Sequence, residues 1–178
     1  MSIMTASRLR LAASTVARDA VLNTAISSRL LPRPLRTGAL RIFLREVDAT
    51  AVISADCFYG GWNGLSVGAR SFVNYGCFFD LGADISIGAD VSIGYQTLFI
   101  TSTHDIGSPA RRAGKDVAKS ISVGDGAWIG ARVTVLPGVS IGAGAVVAAG
   151  STVVTDIEGN NLYAGSPATK KRSLPLNE

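Results

Sequence analysis

The stretch ISVGDG-AWIGAR-VTVLPG-VSIGAG-AVVAAG-STVVTD, residues 121–156, divides into six blocks of six residues. The third position of every block is Val or Ile: Val123, Ile129, Val135, Ile141, Val147 and Val153. A period of six fits neither a helix of 3.6 residues per turn nor a simple alternating strand. It predicts a chain that turns a corner every six residues, with the aliphatic side chain inside and glycine or another small residue relaxing the corner.

The same phase continues upstream of this stretch, with one irregularity. Ile87 and Ile93 lie six residues apart, and the spacing recurs in Val67, Val73 and Phe79. The step from Phe79 to Ile87 is eight residues, so the repeat contains a two-residue slip there. Because stacked coils bury such a ladder continuously, the pattern predicts an all-β protein folded as a parallel β-helix.

Charge is unevenly distributed along the 178 residues, whose formal net charge is +4. Residues 1–45 carry eight arginines against one aspartate, a local net of +7, whereas residues 46–178 carry nine basic against twelve acidic residues, a net of −3. With 47% hydrophobic and only 17% charged residues, the composition indicates a folded chain. Basic and aromatic residues are not interleaved, so we expect no nucleic-acid partner.

The repeat divides the chain into three parts. We expect a basic, partly helical N-terminal cap over residues 1–46, a β-helix over 47–168 with an ejected loop at 101–120, and a basic tail over 169–178. In the cap, one helical face that ends before Pro32 and Pro34 carries Leu22, Ala25, Ile26 and Leu30. This face is expected to cover the open end of the β-helix. The alternative is contact with an anionic membrane surface.

Residues 101–120, TSTHDIGSPARRAGKDVAKS, interrupt the repeat with polar and basic side chains and contain the chain's single histidine, His104. A long loop ejected from a regular solenoid tends to be functional, because another coil would pack better. Imidazole accepts and returns a proton near pH 7, so it suits general-base catalysis on a hydroxyl group. These observations make His104 the candidate catalytic residue.

The two cysteines, Cys57 and Cys77, lie outside this loop and have no CxxC or Cys/His ligand spacing. They fit a reducing compartment, and they disfavour a covalent acyl-cysteine route. A zinc lyase of the carbonic anhydrase type on the same scaffold would need three histidines around the metal. We therefore expect no metal.

Four stretches carry a family resemblance: FVNYGCFFD (72–80), STHD (102–105), residues 126–154, and YAGSPA (163–168). They resemble the maltose/galactoside O-acetyltransferase group of the hexapeptide-repeat acyltransferase superfamily. The resemblance implies a left-handed parallel β-helix that assembles as a homotrimer with active sites between subunits. It also implies direct transfer of an acetyl group from acetyl-CoA to a hydroxyl of a sugar or glycan, such as an exopolysaccharide or a lipid-linked glycan.

The resemblance also implies roles for individual residues. His104 matches the general base, and the amide of Ala131 matches the donor to the oxyanion. Asn74 and Asp80 match the acceptor side, where an amide and a carboxylate can hydrogen-bond sugar hydroxyls.

The acetyl-CoA side begins at Trp128, an aromatic residue beside the inward-facing Ile129. Ala149 and Thr155 match positions that line the pantetheine groove. The sequence VVTD (153–156) lacks a lysine that relatives place before the aspartate, which removes one phosphate contact. The basic residues Lys170 and Arg172 are expected to bind the coenzyme's phosphates instead.

Three alternatives stay open at this point. The favoured one is an acetyltransferase whose acceptor is a sugar. The second is an acetyltransferase that acts on an antibiotic or on another non-sugar hydroxyl or amine. The third is a non-catalytic β-helix assembly module. We expect a cytoplasmic enzyme, with the inner face of the plasma membrane as the alternative location. The trimer is expected because the outer walls carry apolar or small residues, for which the repeat suggests Ala127, Ala131, Val133, Ala143 and Ala145.

Overall fold

The computed structural model describes residues 6–176. The N-terminal part is helical and consists of α1 (Ala6–Arg18), a π-helical segment (Asp19–Ile26) and α2 (Arg33–Phe43). The rest of the chain contains strands β1 to β19, most of which are short, parallel and stacked into three walls around one hydrophobic core. The predicted parallel β-helix, with a helical N-terminal segment and an ejected loop, is confirmed.

Each coil of the β-helix visits the three walls in turn, and the strands are numbered in chain order. The first wall consists of β1 (Glu46–Val47), β4 (Leu65–Val67), β7 (Ile85–Ile87), β12 (Ile121–Val123) and β15 (Ser140–Ile141). The second wall consists of β2 (Val52–Ile53), β5 (Phe72–Val73), β8 (Ser92–Ile93), β13 (Trp128–Ile129), β16 (Val146–Val147), β18 (Asn161–Ala164) and β19 (Thr169–Ser173). The third wall consists of β3 (Phe58–Tyr59), β6 (Phe78–Phe79), β9 (Leu98–Phe99), β14 (Thr134–Val135) and β17 (Thr152–Val153). The segment expected to be a basic tail thus begins with β19, which pairs antiparallel with β18.

Two columns of side chains per block fill the core. The predicted ladder at the third position is buried, and the first position is buried as well: Ile121, Ala127, Val133, Val139, Ala145 and Ser151. The expectation that Ala127, Val133 and Ala145 face outward is therefore wrong. Alternate residues of a strand share a face, so a residue two positions before an inward aliphatic also points inward.

The corners need glycine for two different reasons. A Cβ on Gly130 would lie 2.4 Å from the backbone nitrogen of Ala149 in the next coil, so the coils approach too closely for a side chain. Gly150 instead has φ +71°, the left-handed region in which other residues are strained. Small corners allow the coils to stack at strand spacing.

The three walls form a triangular prism, and two of its edges border the third wall. These two edges differ in how regular the lengths of their connections are. The tight edge, where the chain passes from the second to the third wall, consists of four-residue turns at 54–57, 74–77, 94–97, 130–133 and 148–151. The hairpin edge, where the chain passes from the third to the first wall, has connections at 60–64, 80–84, 100–120, 136–139 and 154–156. The predicted slip after Phe79 falls on this hairpin edge, and an equal slip follows Tyr59 one coil earlier. Every connection longer than four residues within the coils lies there.

The longest of these connections forms an antiparallel β-hairpin of β10 (Ser102–Ile106) and β11 (Ala113–Ala118). Its neck is closed by the amide of Lys119, which donates to the carbonyl of Thr101 at 2.9 Å. Directly after it, Ile121 pairs with Ile85 of the preceding coil. The hairpin therefore leaves the prism without disturbing the register of the coils.

The N-terminal segment packs on the first coils through Leu22 and Leu40, both fully buried. The guanidinium of Arg36, also buried, donates to the carbonyls of Ile26, Ser28 and Leu31, which tie the π-helical segment to α2. Of the predicted helical face, Ala25 and Leu30 are exposed. This segment therefore covers the core at that end.

The sequence predicts that the helix ends before Pro32 and Pro34, but these prolines also have a second role. Pro34 lies in the first turn of α2, where its missing N–H leaves no hydrogen bond unmade, so the prolines begin a second helix as well as ending the first. No helix in residues 6–176 has the length and apolar character needed to cross a bilayer. Contact with a membrane surface stays a prediction.

Candidate active site

His104 lies in the middle of β10, on the ejected hairpin. The antiparallel register pairs it with Asp116 of β11, and its Nδ1 lies 3.0 Å from Asp116 Oδ1. The His104 side chain is 48% exposed and that of Asp116 is 94% exposed. The pair forms a positioned imidazole with a carboxylate behind it, on a platform open to solvent.

Sequence reasoning missed Asp116. The signal that could have found it is the Gly-Ser-Pro-Ala-Arg-Arg run at 107–112, because such a run between two short polar segments indicates a hairpin turn. The cross-strand partner of His104 depends on the hairpin register, which contains an irregularity between His104 and Ile106. Counting symmetrically from the turn would therefore not have given the right residue.

Asp80 anchors the base of the hairpin. Its Oδ2 accepts hydrogen bonds from the amide of Thr101 at 3.1 Å, the hydroxyl of Thr101 at 3.0 Å and the amide of Ser102 at 2.7 Å. Partial burial raises the pKa of Asp80, but these hydrogen bonds outweigh it and hold the pKa below its ordinary value of 3.8. Oδ1 accepts no hydrogen bond within residues 6–176, so one oxygen is left for another donor.

The tight edge carries Asn74 and Ala131, two coils apart. Asn74 Oδ1 accepts the amide of Tyr75 at 3.0 Å, while its Nδ2 donates to no group in the described part of the chain. Within the same residues the amide of Ala131 donates no hydrogen bond, and Gly94 lets it approach closely, since a Cβ there would lie 2.4 Å from Ala131 N. An unpaired backbone N–H is what a developing oxyanion needs.

Trp128 projects from the second wall and is 60% exposed. Strand pairing places it in one outward column that continues through Val146 and Leu162 to Arg172. At about 4.8 Å per strand, the column spans about 14 Å from Trp128 to Arg172. An exposed aromatic and an exposed guanidinium thus lie on one wall, as an elongated ligand with an anionic end would require.

The other residues predicted to contact acetyl-CoA, Ala149, Thr155 and Lys170, lie in three different places. Ala149 is exposed on the tight edge, and the amide of Gly150 beside it donates to the carbonyl of Ala131 at 2.8 Å. Thr155 is exposed on the hairpin edge. Lys170 Nζ lies 3.1 Å from Glu158 Oε2, so its charge is already paired.

One chain therefore holds the predicted residues in two groups. The hairpin edge carries Asp80, His104 and Thr155, whereas the tight edge and the second wall carry Asn74, Trp128, Ala131, Ala149, Lys170 and Arg172. The width of the third wall separates the two groups. The thiols of Cys57 and Cys77 belong to neither, because both are buried inside the coils.

Comparison with known proteins agrees with this architecture. The family model described as "Bacterial transferase hexapeptide (six repeats)" matches residues 120–155. A Staphylococcus aureus (strain MRSA252) protein, provisionally named an acetyltransferase, is 40% identical over 134 residues. That alignment covers 75% of this chain and 66% of the relative, so the chain spans about two thirds of that relative's length.

Solved structures extend the similarity over nearly the whole chain. A hexapeptide-repeat acetyltransferase from Vibrio cholerae is 30% identical with a TM-score of 0.82, and 93% of each chain is covered. The same protein complexed with acetyl-CoA matches at 29% identity and a TM-score of 0.72, covering 96% of this chain and 91% of the other. A maltose O-acetyltransferase from Clostridium difficile 630 is 25% identical with a TM-score of 0.83, covering 93% and 89%.

The fold and the similarities define the class of the protein as a β-helical acyltransferase. The chain belongs to the hexapeptide-repeat acetyltransferase family. The resemblance drawn from the sequence is thereby confirmed. A relative of this family binds acetyl-CoA, which supports acetyl-CoA as the substrate.

Proposed function

We propose that the protein transfers the acetyl group of acetyl-CoA to a hydroxyl of a sugar or glycan, with His104 as the general base. The observation that carries the proposal is the His104–Asp116 pair at 3.0 Å on the hairpin that leaves the coils at residues 100–120. The similarity to a maltose O-acetyltransferase supports a sugar acceptor.

The proton is handled by the imidazole. Asp116 Oδ1 beside Nδ1 favours the tautomer with its proton on Nδ1, which leaves the lone pair of Nε2 for the acceptor. As the acceptor oxygen bonds to the thioester carbonyl carbon, Nε2 takes the hydroxyl proton. The Asp116 carboxylate then stabilises the imidazolium, and general-base catalysis of this kind contributes about 10²–10⁴-fold.

The carbonyl oxygen becomes an oxyanion in this step, and the unpaired amide of Ala131 is the donor proposed to stabilise it. When the tetrahedral intermediate collapses, the carbon–sulfur bond breaks and the thiolate of CoA takes the proton from the imidazolium. Since both cysteine thiols are buried, the acceptor attacks acetyl-CoA directly in a ternary complex.

A homotrimer would bring the two groups of site residues together. If three copies turn their third walls towards a common axis, the hairpin edge of each copy meets the tight edge of the next. His104 of one subunit would then face Ala131 and Trp128 of its neighbour. The acetyl-CoA would run along the second wall from Trp128 towards Arg172.

The outer faces of the walls support this orientation. The first wall presents polar side chains: Glu46, Ser66, Ser86, Ser122 and Ser140. The third wall presents Phe58, Phe78 and Leu98, followed by Thr134 and Thr152. The rings of Phe58 and Phe78 stack with centroids 4.7 Å apart and are only half-buried. An apolar wall of this kind is stabilised by a partner, and a polar one is not.

The experiment is a screen of hydroxylated acceptors for thiol release from acetyl-CoA, with the acetylated product identified by mass spectrometry. We expect release that depends on a sugar and is lost in His104→Ala. Thiol release that depends only on amines or antibiotics, with no sugar in the panel acetylated, would overturn the sugar assignment.

A further inference from the structure

A cleft of about 1140 Å³ opens along the tight edge, between the turns of the first four coils and the N-terminal segment. Ligand pockets measure about 300–1,000 Å³, so this cleft has room for more than one sugar unit. The side chains that give it its chemical character are Arg29, Arg33, Asp56, Tyr75, Tyr95 and Arg132.

The cleft adjoins the acceptor side of the proposed site. Tyr75 directly follows Asn74, and Tyr95 lies in the same turn one coil further on. Arg132 directly follows Ala131. From this point the cleft extends towards the N-terminal coils, whereas the column from Trp128 to Arg172 extends towards the C-terminal ones. A ligand in the cleft is therefore continuous with the acceptor and leads away from the coenzyme.

The cleft has an excess of positive charge. Arg29 is neutralised by Asp56, with Nε 2.6 Å from Oδ2. Arg33 and Arg132 form no ion pair within residues 6–176. Arg33 donates to the neutral Tyr75 Oη at 3.2 Å, and Arg132 donates to the neutral Gln96 Oε1 at 2.9 Å. Two exposed guanidinium groups thus keep donors for an oxyanion, which guanidinium recognises through two parallel hydrogen bonds.

The floor of the cleft is aromatic. The rings of Tyr75 and Tyr95 lie nearly parallel, with centroids 6.2 Å apart and an interplanar angle of 12°. The guanidinium of Arg33 lies over Tyr75, 5.9 Å from the centroid, and Tyr95 is 54% exposed. Flat aromatic faces with hydroxyl tips suit a ligand that is partly apolar and partly hydrogen-bonding, as a pyranose ring is.

We propose that this cleft binds an anionic group of the acceptor, a phosphate or a carboxylate, so that the preferred substrate is an acidic saccharide. The inference rests on the proposed acetyl transfer to a sugar. Arg33 and Arg132 bind the oxyanion, and Tyr75 and Tyr95 support the ring that carries it. The reacting hydroxyl then lies on the side of the sugar nearer Asn74.

The test uses sets of acceptors with identical free hydroxyls: the methyl, 1-phosphate and carboxymethyl glycosides of glucose, galactose and N-acetylglucosamine. We expect kcat/KM for the charged members to exceed that for the methyl glycoside at least about tenfold. The phosphate and carboxymethyl arms show which anion is preferred. In Arg33→Gln/Arg132→Gln the ratio should fall to about one, whereas the control Arg70→Gln, on another edge, should keep it.

Binding of the 1-phosphates is measured in parallel by calorimetry without acetyl-CoA. Equal kcat/KM and equal affinity within every set, or a preference that survives in the double variant, would overturn the anionic cleft while leaving acetyl transfer intact. Binding of the phosphates that the double variant abolishes, without turnover of any sugar, would support the cleft and contradict the proposed reaction instead.

Discussion

The tight edge and the hairpin edge border the same wall, yet they are built in different ways. Each turn of the tight edge has four residues, so the edge offers its backbone amides and side chains at fixed spacing. The hairpin edge varies from three residues at 154–156 to twenty-one at 100–120, and it presents the single histidine. The tight edge is thus suited to holding backbone amides in fixed positions, and the hairpin edge is suited to carrying a side chain away from the coils.

This difference bears on the chemistry proposed for the site. An oxyanion donor works best when it is preorganised, which a backbone amide in a stacked turn is. A general base must reach the acceptor's hydroxyl, and the hairpin carries His104 away from the wall towards solvent. Because both kinds of group are needed in one place, and one chain puts them at opposite margins of a wall, the contrast itself predicts a site shared between chains.

The largest effect is expected from removing the reaching group. His104→Ala should lower kcat at least about 10²-fold and leave the acetyl-CoA Kd nearly unchanged, because the base acts on the acceptor's proton. Steady-state kinetics and calorimetry measure the two quantities. Ser108→Ala, in the turn of the same hairpin, serves as the control with wild-type kcat. Wild-type kcat in His104→Ala would show that the hairpin edge does not supply the general base.

Mixed trimers test the sharing of the site directly. Refolding His104→Ala and Trp128→Ala chains together in equal amounts, and assaying at acetyl-CoA well below the wild-type Kd so that the Trp128 defect limits the rate, should restore about a quarter of the wild-type activity, the fraction of interfaces with both groups intact under threefold symmetry. Each variant refolded alone gives the baseline. A mixture no more active than the mean of the two variants would place the whole site within one chain.

Trp128→Ala tests the wall beside the tight edge. We expect acetyl-CoA binding to weaken by about 1–3 kcal/mol, since an exposed indole that packs on a ligand loses its contact area on truncation. Calorimetric titration gives the Kd, and gel filtration shows whether the assembly persists. Ser140→Ala, outward on the first wall, should bind normally, and an unaltered Kd in folded Trp128→Ala would make the indole a structural residue.

Asp80→Ala separates positioning of the hairpin from contact with the acceptor. Three hydrogen bonds at the hairpin base are lost, so kcat should fall about tenfold while KM for the acceptor changes little. Asp80→Asn, which keeps an accepting oxygen, should recover part of the activity. A raised KM with unchanged kcat would instead mean that Asp80 binds the acceptor.

The same carboxylate gives a pH dependence. Its pKa is lower in the folded chain, so its contribution to stability is fully present above the unfolded pKa of 3.8 and is lost as pH falls through the folded pKa. The protection factors of the hairpin amides, which are exchange rates corrected for the intrinsic pH dependence of exchange, should fall in the wild type between pH 6 and pH 3 towards those of Asp80→Ala. Protection factors that stay constant in the wild type across this range would contradict the anchoring role.

The smallest effect concerns the core between the two edges. The hydroxyl of Tyr59 is fully buried and has no hydrogen-bond partner among the described residues, and burial raises its pKa well above 10.0. Tyr59→Phe should therefore raise the free energy of unfolding by about 1 kcal/mol. Tyr163→Phe is the control, because that hydroxyl accepts the amide of Glu158 at 3.4 Å. A loss of stability in Tyr59→Phe would show that the hydroxyl has a partner.

The scaffold was predictable because its sequence repeats. Each block from 121 to 156 predicts the same local structure, so a residue that departs from the pattern in one block does not change the predicted fold. The wrong assignment of Ala127, Val133 and Ala145 has a simple cause: one apolar column was read from the period, while the second mixes Ile and Val with Ala and Ser and so shows no uniform residue type. A rule of two inward positions per block would have found it.

The site was predictable only in part. His104 stands out because it is the single histidine in the single long interruption. Asp116 does not, because its partner depends on hairpin register. The separation of Asn74 from His104 by a wall also escaped prediction, since it follows from counting insertions around the prism rather than from any motif.

The closed neck of the hairpin makes that element interchangeable. Thr101 and Lys119 meet through one hydrogen bond, and the coil resumes in register at Ile121. Doubling the length of such an excursion costs only about 0.6 kcal/mol in closure entropy. Grafting the corresponding segment of another family member between these two residues should yield a chimera whose scaffold melts like the parent. The choice of acceptor can therefore diverge in evolution at a place where the rest of the molecule need not respond.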